Sequence, residues 1–312
     1  MAIQTPNDYL QAVLEQKTVS SSNQTNDYIK ELVDEREKVK TILETKYPGA
    51  SLALHFAGSY AKNTMTLPPS DLDLAAYVQR DETAVGDTLE DIYQNLHDTL
   101  AETYNVEKHR SCVRLLSRKD GEEMAASIDV VPGRYINEDS KQDSQCFIYQ
   151  TEGEKCRLKT DLRAQVRHVR DSGFTNIIKL AKVWKKQNNV SVRTFVLELL
   201  IIKILSNAED VKSSDYAACL RTVWNAFKED IENISIEDPG NANNDLSGIF
   251  DASTKASLKS HASTALTCAD IDMWSSILGT VEVKDKAEKR AILESIRVST
   301  PQVAQSRPWA RI

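Results

Sequence analysis

The sequence predicts an α/β lobe over residues 1–158 followed by a helical lobe over residues 159–312. In the first half, short apolar runs bounded by Gly and Pro alternate with segments whose apolar residues recur every three or four positions. That alternation is typical of strands interleaved with helices. Beyond about residue 160 only the helical period continues, interrupted by the connector SIEDPGNANNDLSG, which is rich in Pro, Gly and Asn.

Local patterns predict the elements of the first lobe in order. Residues 1–25 predict a short helix and a loop, and a long amphipathic helix follows from Asn26 to Lys46, ended by Pro48 and Gly49. Residues 84–104 predict a second long helix. The segments predicted as strands are SLALHFAG, DLDLAAYV, VEKHRSCVRLLSR and MAASIDVVPGRY. A Lys119-Asp120-Gly121 turn predicts a hairpin between the last two of these strands.

Composition excludes several classes of protein. With 41% apolar and 27% charged residues, the chain has an ordinary globular composition. No apolar run approaches the roughly 20 residues that cross a bilayer, and the start of the chain lacks the pattern of a secretory signal. The five cysteines are scattered, with no C-x-x-C pair, so we expect reduced thiols and a cytoplasmic protein with no membrane contact.

The charge balance bears on partners. Lys and Arg number 39 and Asp and Glu number 46, which gives a net charge of −7. Proteins that bind long nucleic acids usually present a basic face. Because the net charge here is negative, we do not expect a long DNA or RNA partner. A local basic groove is compatible with this balance.

Two carboxylates stand in DLDLAAYV, within what otherwise predicts a buried strand. Residues i and i+2 of a strand share a face, so Asp71 and Asp73 lie side by side, while Leu72 and Leu74 point into the core. Two like charges at that distance repel unless a cation lies between them. Mg²⁺ prefers such oxygen ligands together with substrate phosphates, so the pair predicts a Mg²⁺ site, with Mn²⁺ as the alternative.

A third strand carboxylate, Asp129, occurs in SIDVVP between Ile128 and Val130. If its strand lies beside that of Asp71 and Asp73, three carboxylates converge, which suits a two-metal site for in-line phosphoryl displacement. Asp129 is also a candidate acceptor for a substrate proton. The alternative for a D-x-D pair standing alone is two solvated surface carboxylates.

Upstream of the aspartates, Gly58 and Ser59 follow a predicted strand. Gly permits a tight turn with an exposed backbone N–H, and the Ser hydroxyl adds a donor, so the pair predicts a cradle for a terminal phosphate. Lys62 and Thr64 would add a charge and a further donor on the same loop.

The run AGSYAKNTMTLPPSDLDLAAYV, followed by SIDVVP, resembles the signature of the DNA polymerase β-like nucleotidyltransferase superfamily. The resemblance consists of a G-S pair, a Thr, a D-x-D strand and a third Asp in a later strand, in that order. It implies a bilobal α/β plus α fold, with a mixed or antiparallel sheet, helices and a helical C-terminal lobe. It also implies that Asp71, Asp73 and Asp129 are the catalytic, metal-binding residues.

The helical half resembles the branch that contains oligoadenylate synthase, cyclic GMP-AMP synthase and the bacterial anti-phage cyclic-oligonucleotide synthases. The matching residues are Lys182, Trp184, Thr194, Phe195, Glu198 and the connector residues Asp238, Pro239, Asn243 and Asn244. The resemblance implies that Lys182 and Thr194 contact a donor triphosphate and that the helix from Asn26 is a spine bridging the lobes. From the residues alone, Lys185 is expected on a solvated face and Trp184 in the core. Glu198 is expected either in a structural ion pair or near the cleft.

The resemblance implies a metal-dependent enzyme that joins nucleoside triphosphates, with ATP the expected substrate, into a cyclic di- or trinucleotide for anti-phage defence, releasing pyrophosphate. The alternatives are transfer to RNA 3′ ends, adenylylation of a protein or small molecule, and a non-catalytic nucleotide sensor. A regulatory protein partner is also an open alternative. The five histidines are isolated from one another, so no zinc insertion of the nucleic-acid-sensing members is indicated.

Overall fold

The computed structural model describes residues 5–19, 27–68, 71–138, 144–152 and 156–282. The strands are β1 (Leu52–Phe56), β2 (Asp71–Val78), β3 (Tyr104–Lys108), β4 (Val113–Arg118), β5 (Ser127–Tyr135), β6 (Cys146–Tyr149) and β7 (Arg157–Thr160). The helices are α1 (Pro6–Lys17), α2 (Asp27–Lys46), α3 (Gly58–Ala61), α4 (Leu89–Ala101), α5 (Leu162–Arg170), α6 (Thr175–Gln187), α7 (Thr194–Ser206), α8 (Tyr216–Glu229), α9 (Ala252–Asp270) and α10 (Trp274–Leu278).

All seven strands form one mixed sheet. The order is β1-β2-β5-β4-β3, with β6 pairing with β5 and β7 pairing with β6. Strands β2 and β5 run parallel, while the other pairs are antiparallel. This arrangement, followed by helices α5 to α10, confirms the expected fold class of a mixed sheet with helices and a helical C-terminal half.

The sheet packs helices on both faces. One face carries Leu72 and Leu74, which are fully buried in a core shared with α2 and α4. Helix α4 begins at a capping box, in which Thr88 and Asp91 satisfy each other's backbone N–H groups. The opposite face carries a smaller buried group, which comprises Ala75, Tyr77, Tyr135, Cys146 and Ile148.

The helical half has its own core, built around α7, which is apolar on nearly every side. Trp184 of α6 is only 1% exposed and lies 5.8 Å from Trp224 of α8, measured between ring centroids. This burial confirms that Trp184 is a core residue. Within the described part of the chain, no helix has both the length and the apolar character needed to cross a bilayer.

The predicted single strand VEKHRSCVRLLSR is wrong, because the chain turns back within it. Strand β3 ends at Lys108 and β4 begins at Val113. The backbone N–H of His109 donates to the carbonyl of Cys112 at 2.9 Å, and the hydroxyl of Tyr93 donates to both of those residues' carbonyl oxygens. The predicted hairpin between β4 and β5 is confirmed.

Helix α1 packs on the helical half of the chain. Its Leu10 and Val13 are fully buried in the core formed by the C-terminal helices, and Lys17 Nζ donates to the carbonyl of Leu278 at 2.6 Å. The division at residue 158 stays a prediction, and α1 makes these contacts with residues on the far side of it.

Candidate active site

The strand register places the three aspartates at one end of two adjacent strands. Strands β2 and β5 are adjacent and parallel, and Asp73 lies directly opposite Asp129, with Asp71 opposite Ser127. Paired residues of neighbouring strands project on the same side of a sheet, so all three carboxylates share one face at one end of the two strands. Leu72 and Leu74 hold the alternate positions in the opposite core.

The electrostatics of this carboxylate group favour a bound cation. Burial, followed by the negative charges of Asp71 and Asp129, raises the pKa of Asp73 to about 6, against the opposing charges of Lys62 and Lys182. The two lysine charges therefore do not offset the combined effect of burial and the two neighbouring carboxylates on this pKa. Among the described residues, no three His, Cys, Asp or Glu side chains are arranged as a metal site. The carboxylate oxygens of Asp71 and Asp73 are nevertheless of the ligand type that Mg²⁺ and Mn²⁺ prefer.

Arg114 belongs to this group, although no motif in the sequence indicates it. In the β4–β5 ladder it lies opposite Asp129, and its Nε and Nη2 atoms donate to the two carboxylate oxygens at 2.7 and 2.6 Å. This fork neutralises Asp129 and fixes its orientation. The predicted hairpin at Lys119-Asp120-Gly121 indicates that these two strands are neighbours. The turn residues alone do not set the register that pairs Arg114 with Asp129.

The backbone at Gly58 touches the carboxylate of Asp73. Gly58 has φ of +53°, and a Cβ atom there would lie 1.6 Å from Oδ2 of Asp73. The neighbouring N–H of Ala57 donates to the Asp73 carbonyl at 2.8 Å. Only glycine therefore fits, and Ser59 comes next along the chain at the wall of the adjoining cleft.

The carboxylate of Glu198 is surrounded by Lys62, Thr64 and Lys182. The sequence predicted these three residues at the phosphates of the donor. Glu198 is 1% exposed; Lys62 Nζ lies 2.8 Å from its Oε2 and Lys182 Nζ lies 2.7 Å from its Oε1. Lys182 also donates to the Thr64 hydroxyl at 2.6 Å. Although burial opposes ionisation, Lys182 and Lys62 hold the pKa of Glu198 below its usual range.

This ion cluster ties the two halves of the chain together at the cleft. Lys62 and Thr64 come from the segment after β1, whereas Lys182 and Glu198 come from α6 and α7. Two lysines against one glutamate leave a net positive charge beside Asp73. Both alternatives considered for Glu198 therefore apply, because it is ion-paired and also lines the cleft.

The cleft itself has a volume of about 790 Å³. It is bordered by carboxylates of the aspartate group and by the ion cluster around Glu198. Asp71 and Asp73 lie along it with Ser59, and exposed Thr194, the first residue of α7, lies at its edge. Half-buried Lys185 also lines it, where a solvated face was expected. A cavity of this size with carboxylates beside lysines can hold a phosphorylated ligand together with a divalent cation.

Comparisons with known proteins support this architecture at low sequence identity. No protein-family model and no curated protein matches the chain. Among solved structures, E. coli MS115-1 CdnC with ATP is 19% identical, with a TM-score of 0.66 over 88% of this chain and 98% of that one. The complex of the same protein with HORMA-deltaN also matches, at a TM-score of 0.62 over 86% and 95% of the two chains.

A structure from a second organism matches over a greater share of the sequence. The CD-NTase CdnG of Bradyrhizobium diazoefficiens, in complex with GTP, is 13% identical, with a TM-score of 0.65 over 95% of this chain and 99% of that one. The STING-associated CdnE c-di-GMP synthase of Capnocytophaga granulosa is 15% identical, with a TM-score of 0.66 over 88% and 89%. The chain therefore shares the fold of these bacterial structures.

Proposed function

We propose that the chain is a metal-dependent nucleotidyltransferase that joins nucleoside triphosphates into a cyclic di- or trinucleotide and releases pyrophosphate. The observation that carries the proposal is the register of β2 and β5, which sets Asp73 opposite Asp129 beside a lysine-lined cleft. The neighbouring structures support it, since CdnC was solved with ATP, CdnG in complex with GTP, and CdnE is a c-di-GMP synthase. ATP is the expected donor.

Asp71, Asp73 and Asp129 would hold the divalent ion, Mg²⁺ or Mn²⁺. When bound, the metal would neutralise triphosphate charge and lower the pKa of the acceptor hydroxyl. Arg114 donates a hydrogen bond to each oxygen of Asp129. We therefore assign Asp129 the role of a negative charge with a fixed orientation beside the metal. Its role as proton acceptor is the alternative, and it requires Arg114 to release one oxygen.

The chain's other groups would bind and orient the donor triphosphate. The turn at Gly58 and the hydroxyl of Ser59 would contact the terminal phosphate, next to the aspartates. Lys62 and Lys182 would stabilise the negative charge that develops on departing pyrophosphate, since preorganised charges of this kind stabilise a transition state. Thr64 and Thr194 would complete the donor set at the cleft.

Anti-phage signalling and control by a partner protein are part of the proposal. Their support is the fold shared with the CD-NTase CdnG and the complex that CdnC forms with HORMA-deltaN. A partner-dependent enzyme would bind nucleotide alone and turn over only when that partner is added.

The test is to incubate the protein with all four labelled nucleoside triphosphates and Mg²⁺ or Mn²⁺, treat with phosphatase, and analyse by mass spectrometry. We expect a phosphatase-resistant product with the mass of a cyclic di- or trinucleotide. The paired substitution Asp71→Ala with Asp73→Ala should abolish it. Asp81→Ala, which changes a fully solvent-exposed aspartate away from the cleft, is the matched control.

Other products would redirect the assignment. Label transferred to RNA 3′ ends or to a protein would mean that the same metal site serves a different acceptor. Nucleotide binding without any release of pyrophosphate, even with candidate partners and RNA added, would identify a sensor. Full turnover by the double aspartate variant would contradict the proposed site itself.

A further inference from the structure

The connector between α8 and α9 contacts the point where the chain passes from the sheet to the helices. It contains Asp238, which is only 5% exposed and whose carboxylate accepts three hydrogen bonds. Asn244 Nδ2 donates to one oxygen at 2.7 Å, while Gln165 Nε2 of α5 and the backbone N–H of Gly240 donate to the other, each at 2.8 Å. The buried charge of Asp238 is thereby satisfied, and it joins the connector to α5.

The same connector binds the last strand of the sheet. The side-chain amides of Asn241 and Asn244 both donate to the carbonyl oxygen of Lys159 in β7, at 3.2 and 3.3 Å. Asn241 Nδ2 also donates to Asn244 Oδ1 at 2.9 Å, so the two amides orient each other. Residues 238–244, here called the clasp, therefore hold the end of β7 as well as the start of α5.

The joint between β7 and α5 is itself fixed by hydrogen bonds. Asp161 caps α5 by accepting from the backbone N–H of Ala164 at 2.8 Å, and it accepts from the hydroxyl of Ser144 at 2.7 Å. Gly240 of the clasp lies against the backbone of Asp161, where a Cβ atom would be 2.9 Å from the amide nitrogen. A larger residue at position 240 must therefore push the clasp away from the joint.

The clasp and the joint are anchored in different cores. Ile236 and Ile249, which flank the clasp along the chain, pack against the core of the helical half. Leu158 and Leu162, which flank the joint, pack against the buried group on one face of the sheet. The clasp therefore ties the sheet to the helical half by hydrogen bonds, in addition to the covalent passage through α5.

The cleft depends on how the two halves are placed. Asp71 and Asp73 line it from β2, whereas Lys182 and Glu198 line it from α6 and α7. A ligand that contacts both sets of residues requires one separation between the halves. Because the clasp acts at the covalent joint, it restricts the hinge rotations that would change this separation.

We propose that Asp238 and Asn244 are positioning residues, which hold the two halves of the cleft at the separation that binds a nucleoside triphosphate. The ligand named here rests on the proposed function, whereas the effect on the separation does not. Without the Asn244 amide, the buried carboxylate of Asp238 and the carbonyl of Lys159 each lose a donor, so the joint reaches further conformations. A fraction of those conformations binds the ligand, and the apparent affinity falls with that fraction.

Distances between the two halves test the clasp directly. Spin labels are attached through a non-natural amino acid at Leu116 of β4 and Lys259 of α9, which are both exposed, because the chain has five cysteines. In pulsed electron paramagnetic resonance of the full chain, Asn244→Ala should make the distance distribution about twice as broad or broader. Asn243→Ala is the matched control and should leave it unchanged, since exposed Asn243 joins the network through its backbone N–H, which alanine retains.

A second pair of variants decides the case in which circular dichroism shows that Asn244→Ala does not fold. Gly240→Ala adds a methyl group against Asp161 and removes no hydrogen-bonding group, whereas the methyl group of Gly248→Ala enters open space. Gly240→Ala should broaden the distribution and Gly248→Ala should not. Equal distributions for a folded variant and its control would overturn the proposal. Failure of both Asn244→Ala and Gly240→Ala to fold would also overturn it, because the clasp would then serve folding and not the separation.

Nucleotide affinity tests whether this separation matters to the cleft. Calorimetric titration with Mg²⁺ and α,β-methylene-ATP, which cannot release pyrophosphate, should show about tenfold weaker binding by Asn244→Ala than by Asn243→Ala. A saturating amount of the analogue should narrow the distances in Asn244→Ala again. Broad distances with unchanged affinity would overturn the positioning role. Absence of binding by the wild type would instead contradict the proposed function and the ligand named here, while the distances would still decide whether the clasp holds the halves.

Discussion

Gly58 contacts the carboxylate of Asp73 so closely that a Cβ atom at position 58 would overlap with Oδ2. This contact links a backbone turn in the segment after β1 to a side chain of β2. It makes the geometry of the proposed metal site depend on a residue that has no functional group of its own.

We therefore expect Gly58→Ala to lower turnover by two orders of magnitude or more, since the added methyl group must displace Asp73. Turnover is measured by pyrophosphate release. Gly49→Ala is the matched control: Gly49 also has a positive φ, of +82°, but its Cβ would enter open space. Both variants carry backbone strain of about 1 kcal/mol. Equal activity of the two variants would mean that the contact with Asp73 is unimportant.

Glu198→Gln should destabilise the fold strongly, because it removes the only negative charge of the ion cluster that the described residues form around Lys62 and Lys182. Breaking a buried pair in this way typically costs about 3–5 kcal/mol. Added pyrophosphate should recover more stability in the variant than in the wild type, since two lysines then lack their carboxylate partner. Thermal unfolding with and without pyrophosphate measures both effects.

The control for this prediction is Glu209→Gln, which neutralises an exposed glutamate. It should leave the unfolding temperature within about a degree of the wild type, as expected of an isolated surface charge. If Glu198→Gln melted like this control, the cluster would contribute nothing to stability.

Asp73→Asn should raise stability at alkaline pH in the presence of a metal chelator. The pKa of Asp73 is about 6 in the folded chain against 3.8 for the ordinary group. The native state therefore binds its proton more tightly, and this group costs stability as the pH rises from about 4 to 6. At pH 8 the ionised Asp73 lowers the free energy of unfolding by up to about 3 kcal/mol. Asn at this position carries no charge and does not cause this loss.

The measurement is urea unfolding of Asp73→Asn and wild type at pH 8 and at pH 4. The free energy of unfolding of the variant should exceed that of the wild type most at pH 8. The difference should shrink towards pH 4, where the wild-type carboxyl is protonated in the folded state. Asp81→Asn should show no such trend, because Asp81 is exposed to solvent. A constant difference at both pH values would contradict the raised pKa.

Arg114→Met should increase the stabilisation that Mg²⁺ or Mn²⁺ provides. The substitution leaves Asp129 without the cation that now occupies both of its oxygens, so the carboxylate group gains more from a bound metal. The shift in unfolding temperature on metal addition should exceed that of the wild type. Arg110→Met, at an exposed position near β4, should respond to metal as the wild type does.

The carboxylates of the candidate site were predictable because their pattern is local. Asp71 and Asp73 sit two residues apart between apolar neighbours, and a strand with that alternation presents both on one face. Asp129 has the same apolar flanks. The sequence does not show that β2 and β5 are neighbours. The structure establishes their parallel pairing, which places Asp129 opposite Asp73.

The partners of those charges were not predictable, because they depend on register and on distant contacts. Arg114 reaches Asp129 only through the register of β4 on β5. Lys62 and Glu198 are 136 positions apart in the chain, so no local period connects them. Strands β6 and β7, with four residues each, are too short to give a reliable alternating pattern.

The tryptophans give the helical half an optical signal of its own. Trp184, Trp224 and Trp274 form a continuous buried row, with neighbouring rings 5.8 and 5.9 Å apart, and the fourth, Trp309, lies outside the described residues. The described sheet contains tyrosines but no tryptophan. Emission from these three tryptophans therefore follows the helical core, whereas far-ultraviolet circular dichroism follows the whole backbone. Coincident melting curves from the two probes would mean that sheet and helices unfold as one cooperative unit, and separate curves would mean that the cleft lies between two independently melting bodies.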